Sequence, residues 1–458
     1  VRWLALQAAV LAAAVLPYAP LGIGVPLVAA IVAVAVATSV TRSVDAWLFG
    51  GLALALACMA AWLDATWVVA PDLVAACVLA TFAVSGVSIV APAAPVRALA
   101  EAPALAPSPR PEWAPAARGA LLGSLLVIPF GALFWSADAA FAELGRSLPW
   151  SSLETAPGRV VVFTVVLLGA VGLALAARRP RPTAGLPEGS KLGRGEWAMS
   201  LLLLDLLFLG FVLVQATVLF GGHDHVLETA GLTYSEYARQ GFWQLIAAAT
   251  LTLVVVAASL RLAAVRSRAD RLLLRALVGV LCALTLVIVA SAVERLHLYE
   301  DAFGLTRERL AAETFSLGVG GLFVLVLVAG VVPAVRSRFA RIAIAGAAAG
   351  LLAFSLSSPD GRVAARNVER WRATGDLDVA YAQELSADAV PSLAELSEPL
   401  RERVLAPYRT RLADDEPWSS ANRSRRRARG VLSRDGYRPT VTTRFAATFA
   451  SRVTRPSG

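Results

Sequence analysis

Charge is scarce in this chain of 458 residues: 16% of positions are Asp, Glu, Lys or Arg, against 57% hydrophobic. Such a balance, with a mean hydropathy of +0.65, lies outside the range of soluble globular domains of this length. Lysine is represented by Lys191 alone, and there are three cysteines and three histidines. Cys58, Cys77 and Cys282 each fall inside an apolar block without metal-ligand spacing, which excludes a disulfide framework and a cysteine zinc site. No cofactor motif is present. The net charge of +9 does not mark a nucleic-acid binder, because the arginines sit at the ends of apolar blocks, where they set membrane orientation.

What the chain has in abundance is long apolar runs, among them LVAAIVAVAVATSV, VVVFTVVLLGAVGLALAA and GVGGLFVLVLVAGVV. A helix of about 20 apolar residues crosses the hydrocarbon core of a bilayer. The runs predict an all-α polytopic bundle of about eleven spans. These lie near 3–16, 21–40, 46–63, 67–90, 120–135, 160–177, 197–220, 242–260, 272–293, 315–335 and 342–356. The first is read as a retained anchor. Residues 1–90 then form an amino-terminal group of helices, 91–118 a Pro/Ala-rich linker, 119–357 the main bundle and 358–458 a small helical soluble tail. Between the fifth and sixth spans, 136–150 has the pattern of an interfacial helix.

With this count the loops carrying Arg42, Arg97, Arg110, Arg178, Arg194, Arg266, Arg268, Arg336 and Arg341 share one face. By the positive-inside rule that face is cytoplasmic, so the expected location is the cytoplasmic membrane, with the amino terminus inside and the tail outside.

Two connections then face outward with the tail. The first contains His223, His225 and LTYSEYARQGF, in which Thr233 or Ser235 caps a helix and Glu236 and Arg239 share one face, walled by Tyr234 and Tyr237. The second, ERLHLYEDAFGLTRERL, brings His297, Tyr299, Glu300, Asp301, Arg307 and Arg309, with Gly304 placed for a tight turn. Tyr234, Glu236, Tyr237, Arg239, Tyr299, Asp301 and Arg307 are the ligand-binding candidates, suited to a lipid headgroup or a small polar ligand. His223, His225 and His297 are weak metal candidates, since no HExxH or paired Cys accompanies them. Inside the membrane Asp205 needs a partner or a proton, and Arg275, at similar depth, is the expected partner. In the tail, a helix is expected from the Ser358 to Asp360 signal, another from Asp376 and a third with Pro391 in its first turn. SSANRSRRRARG is a basic run, read as a solvated helix face with lipid headgroups as the alternative.

The stretches LTYSEYARQGFWQL, HLYEDAFGLTRERL, ARNVERW and DLDVAYAQELSADAVPSL together resemble the domain-of-unknown-function 4173 family of bacterial membrane proteins. Its pattern is met at Tyr234, Glu236, Tyr237, Arg239, Tyr299, Gly304, Thr306 and Arg307 and departs at Phe303 and Ser358. The resemblance implies an integral membrane protein with an outward tail and no activity to inherit. A binding, transport or signalling role is therefore expected. Two other readings stand beside it: a membrane enzyme acting on a lipid-linked or phosphorylated substrate through Glu236, Glu300 or Asp301, and a scaffold recognised through its tail.

Overall fold

A computed structural model describes residues 7–12, 20–37, 43–87, 166–167, 169–170, 193–220, 234–413 and 416–434. All regular structure among them is helical. The membrane part comprises α1 (Gly24–Ala37), α2 (Val44–Trp62), α3 (Thr66–Ser85), α4 (Arg194–Phe220), α5 (Tyr234–Leu262), α6 (Arg268–Phe303), α7 (Arg307–Val331), the short α8 (Pro333–Ser337) and α9 (Phe339–Leu356). The tail adds α10 (Pro359–Thr374), α11 (Val379–Glu384), α12 (Val390–Leu393), α13 (Leu400–Arg411) and α14 (Arg423–Arg434).

Six of these helices, α2, α3, α5, α6, α7 and α9, contain a window long and apolar enough to cross a membrane. Their outward surfaces agree: Trp47, Val74, Leu251, Val254, Leu272 and Phe315 are all more than half exposed. Such a surface is stable only in hydrocarbon. The chain is thus a multi-pass membrane protein. The expected spans near 21–40 and 197–220 are the shorter apolar helix α1 and the helix α4. Those near 120–135 and 160–177, the linker and the interfacial helix lie outside the described residues or nearly so.

Short connections make consecutive helices antiparallel, and the caps at both ends show why the chain turns where it does. Ser267 and Asp270 form a reciprocal capping box at the start of α6, and Arg194 lies 3.4 Å from Asp270. At the same end, Arg341 pairs with Asp45 at 2.5 Å, and Arg336 donates to the carbonyls of Ala329 and Gly330 at the end of α7. The opposite end collects the start of α1, the α2–α3 and α6–α7 turns and the end of α9, and this is where the tail packs.

The 36 residues of α6 extend about 54 Å, well beyond the roughly 30 Å of a hydrocarbon core. Its uncharged stretch runs from Ala276 to Val293, so the segment from Glu294 to Phe303 forms a pedestal above the apolar region. The tail builds its core beside that pedestal, on the α6–α7 turn and the start of α7: Leu305 and Leu310 are buried in one cluster with Val363, Val368, Leu385, Leu393, Leu405 and Tyr408. Burying bundle and tail side chains in one core couples the two energetically.

The tail helices match their sequence signals with two adjustments. Pro391 lies in the first turn of α12 as expected. Instead of starting at Asp376, α11 begins after Asp378, whose carboxylate accepts from the Tyr381 N–H at 2.9 Å; of the two aspartates, Asp378 has its side chain at the capping distance. Ser358 precedes α10 in the left-handed region, φ 54°, and makes no side-chain cap.

Candidate functional site

The junction between tail and bundle holds a cluster of buried polar groups, among them Asp360, Asp388, Asn422 and Arg425. At its centre, Asp360 in the first turn of α10 is fully buried and accepts four hydrogen bonds. Arg307 donates through Nε at 2.8 Å and Nη2 at 2.5 Å. The Trp67 indole donates at 2.9 Å and the Ser386 N–H at 2.8 Å. Burial opposes ionisation of this carboxyl, but its hydrogen bonds to Arg307 and Ser386 and the charge of Arg307 outweigh that, holding it below the ordinary carboxylate range. Arg307 also gives its backbone N–H to the Tyr381 hydroxyl at 2.7 Å. Arg307 and Asp360 together therefore tie the start of α7 to α3, α10 and α11.

A second network lies over the α2–α3 turn. The Asp388 carboxylate accepts from the N–H groups of Asp64 and Ala65, at 2.9 and 3.1 Å, while Asp64 accepts from the Ala387 N–H at 3.1 Å. Burial pushes the Asp388 carboxyl up, partly offset by hydrogen bonds from Ser424, Ser386 and the Asp64 N–H. Arg425, itself 4% exposed, balances the charge by pairing with Asp64 at 2.5 Å and Glu416 at 2.8 Å. Asn422 closes two helices: its Nδ2 donates to the carbonyls of Ala60 and Leu63 at the end of α2, and its Oδ1 accepts from the N–H groups of Ser424 and Arg425 at the start of α14.

A third contact holds the α6–α7 turn. Asn367 and Leu305 exchange two hydrogen bonds of 2.9 Å, side-chain amide to backbone. Gly304 sits beneath them with φ 81°, and a Cβ there would lie 2.9 Å from Asn367 Oδ1. The tight turn expected at Gly304 is present, and glycine is required twice over.

Among the expected ligand-binding residues, those of the second connection are thus spread over separate structural tasks. Arg307 takes Asp360, Asp301 pairs with Arg366 at 3.0 Å, and Arg309 stacks on Tyr299 at 4.3 Å and donates to the Gly304 carbonyl. Tyr234, Glu236, Tyr237 and Arg239 lie in the first turns of α5, and their side chains are outside the described set. Of the metal candidates, His297 contacts Glu313 at 3.2 Å, whereas His223 and His225 lie outside the described residues. Among the described residues no group of three His, Cys, Asp or Glu could hold a metal.

Asp205 is 5% exposed, facing inward among the helices while Leu206 and Leu207 face out. Its expected pairing with Arg275 is not formed: Arg275 is exposed, and neither Asp205 oxygen has a hydrogen-bond partner among the described residues. Similar depth in sequence did not imply a shared helix face. The groups sequence reasoning missed were Trp67, Asp64, Asp72, Asn367, Asp388, Asn422 and Arg425. Asp72, buried in α3, accepts from the Ser355 hydroxyl of α9 at 2.8 Å; an aspartate directly after Pro71 in an apolar run was the available signal.

A model of the domain of unknown function DUF4153 matches residues 28–396. The chain belongs to the DUF4153 family. This corrects the resemblance to the 4173 family, which rested on short aromatic and charged motifs at helix ends. Interfaces of membrane helices in general call for those residue types, so such motifs discriminate families poorly compared with a match across most of the chain. The DUF4153 match includes the α2–α3 turn with Asp64 and α3 with Trp67, and reaches the Asp388 segment, so it spans both sides of the junction. No curated protein and no solved structure matches this chain.

Proposed function

We propose that this DUF4153 protein is a membrane-anchored binding or signalling protein that presents its tail, from residue 358, as a fixed cap on the extracytoplasmic end of the bundle. The observation that carries the reading is the Arg307–Asp360 fork, a charge pair with a fully buried carboxylate that joins the tail to the helices. Buried pairs cost desolvation and are better suited to fixing one arrangement than to adding stability. A rigid cap coupled to several spans can pass a change at its surface to the helices below, or serve as a scaffold recognised from outside. The outward assignment is supported by the short connections rich in arginine at the end opposite the tail, including Arg266, Arg268, Arg336 and Arg338.

Two fusions test the orientation. Alkaline phosphatase joined after Gly458 should be active in living cells and a fluorescent protein at the same place dark. The reverse pair would remove the proposal. Catalysis on a lipid-linked substrate has less support, because Asp301, Arg307 and Arg309 are engaged by Arg366, Asp360 and Tyr299.

Transport is a second reading on one observation, the inward-facing carboxyl of Asp205, which has no hydrogen-bond partner among the described residues. Proton flux through the reconstituted protein that is lost in Asp205→Asn would support it; equal flux in both proteins would dismiss it.

A further inference from the structure

Helix α14 has two basic faces with different fates. Arg425 and Arg429 point inward and are neutralised by Asp64 and Glu416. Arg423, Arg426 and Arg427 are exposed, and among the described residues no carboxylate pairs with them. Arg423 does have a partner of another kind: its guanidinium lies 3.9 Å over the ring of Trp62.

Trp62 is the last residue of α2, a membrane-crossing helix, and is therefore at the boundary between hydrocarbon and headgroups, where tryptophan is favoured. The position of Arg423 follows from it. Asn422 fixes the amino-terminal end of α14 to the end of α2 through Ala60 and Leu63. The rise from Arg423 to Arg427 is only about 6 Å, so all three guanidinium groups can reach the headgroup layer. Trp418, 63% exposed just before α14, supplies an apolar side chain at the same edge.

We infer that Arg423, Arg426 and Arg427, with the Trp62 ring as a platform, form a binding surface for anionic phospholipid headgroups on the tail's side of the bilayer. Guanidinium groups match phosphate oxygens in charge and geometry, and basic residues held at a membrane surface attract acidic lipids. The inference is independent of which side of the membrane the tail occupies.

The test uses the full chain in mixed micelles of phosphatidylglycerol and phosphatidylcholine, with the retained lipid read by native mass spectrometry. Wild type should retain phosphatidylglycerol over phosphatidylcholine, and the triple variant R423Q/R426Q/R427Q should lose about fivefold of that preference for each arginine removed. The preference should also fall in about 0.5 M salt in wild type alone, which keeps the idea testable if the variant misfolds. No preference in wild type, an unchanged preference in the folded variant, indifference to salt, or full displacement by an equal concentration of soluble glycerol phosphate would each overturn it, the last by assigning the surface to a free phosphoryl compound.

Discussion

Asp64 and Asp388, 324 residues apart, hold each other's segments by exchange: the backbone N–H of Asp64 donates to the Asp388 carboxylate, while Asp64 accepts from the N–H beside Asp388. Arg425 pairs with Asp64 across tail and bundle, while Asp388 is held by hydrogen bonds from the Asp64 and Ala65 N–H groups and the Ser386 hydroxyl. The tail is thereby fastened first here, second at Arg307 and third at Asn367.

Breaking the second point should release the tail more than neutralising the first. Asp360→Asn leaves Arg307, a side chain 29% exposed, facing a neutral amide, and should cost about 3 kcal/mol of docking stability. Limited proteolysis in detergent should then cleave the 400–434 region far faster than in wild type. Asp388→Asn preserves the shape and the acceptor for the two N–H groups and should be milder. Equal protection of wild type and Asp360→Asn would remove the fork from its proposed role.

The two aspartates also predict opposite pH limbs. Asp388 has a raised carboxyl, so its contribution is fully present below the unfolded value of about 4 and is lost as pH rises through its folded pKa. Asp360 has a lowered one; its contribution is present above about 4 and is lost as pH falls through its folded pKa. Tail protection followed against pH should therefore rise on mild acidification and fall on stronger acidification. Asp388→Asn should remove the first limb and Asp360→Asn the second.

Gly304→Ala should destabilise by about 1–3 kcal/mol, because its backbone, φ 81° and ψ 169°, is available essentially to glycine alone. The Asn367 carbonyl would also have to move. Thermal unfolding of the purified protein checks this, and an unchanged midpoint would show that the turn relaxes freely.

Asp205→Leu should raise the midpoint of thermal unfolding, since it removes a carboxyl whose oxygens have no hydrogen-bond partner among the described residues. Relief of about 1–3 kcal/mol is the scale for a buried unsatisfied group. A lower midpoint would reveal a partner for Asp205 in the folded protein.

Much of the membrane part was legible without coordinates. Runs such as that from Ala276 to Val293 can be satisfied only as helices in lipid, because backbone groups have no water to bond there. Gly304 was legible for a similar local reason. The Arg307–Asp360 fork was not: both residues were noticed, one as a ligand candidate and one as part of a helix start, but periodicity within each segment carries no information about which loop meets which.

The sequence by itself determined the helices, their apolar lengths and the grouping of arginines at their ends, since these follow from burial and local hydrogen bonding along a continuous stretch. Only the tertiary structure decided that Asp205 and Arg275 stay apart, that the segments of Asp64, Asp388 and Arg425 meet, and that part of a basic run is buried while Arg423, Arg426 and Arg427 are exposed. Those outcomes depend on the rotation of each helix about its axis and on contacts between segments hundreds of residues apart, where the energies of desolvation and pairing are settled by packing and not by local sequence.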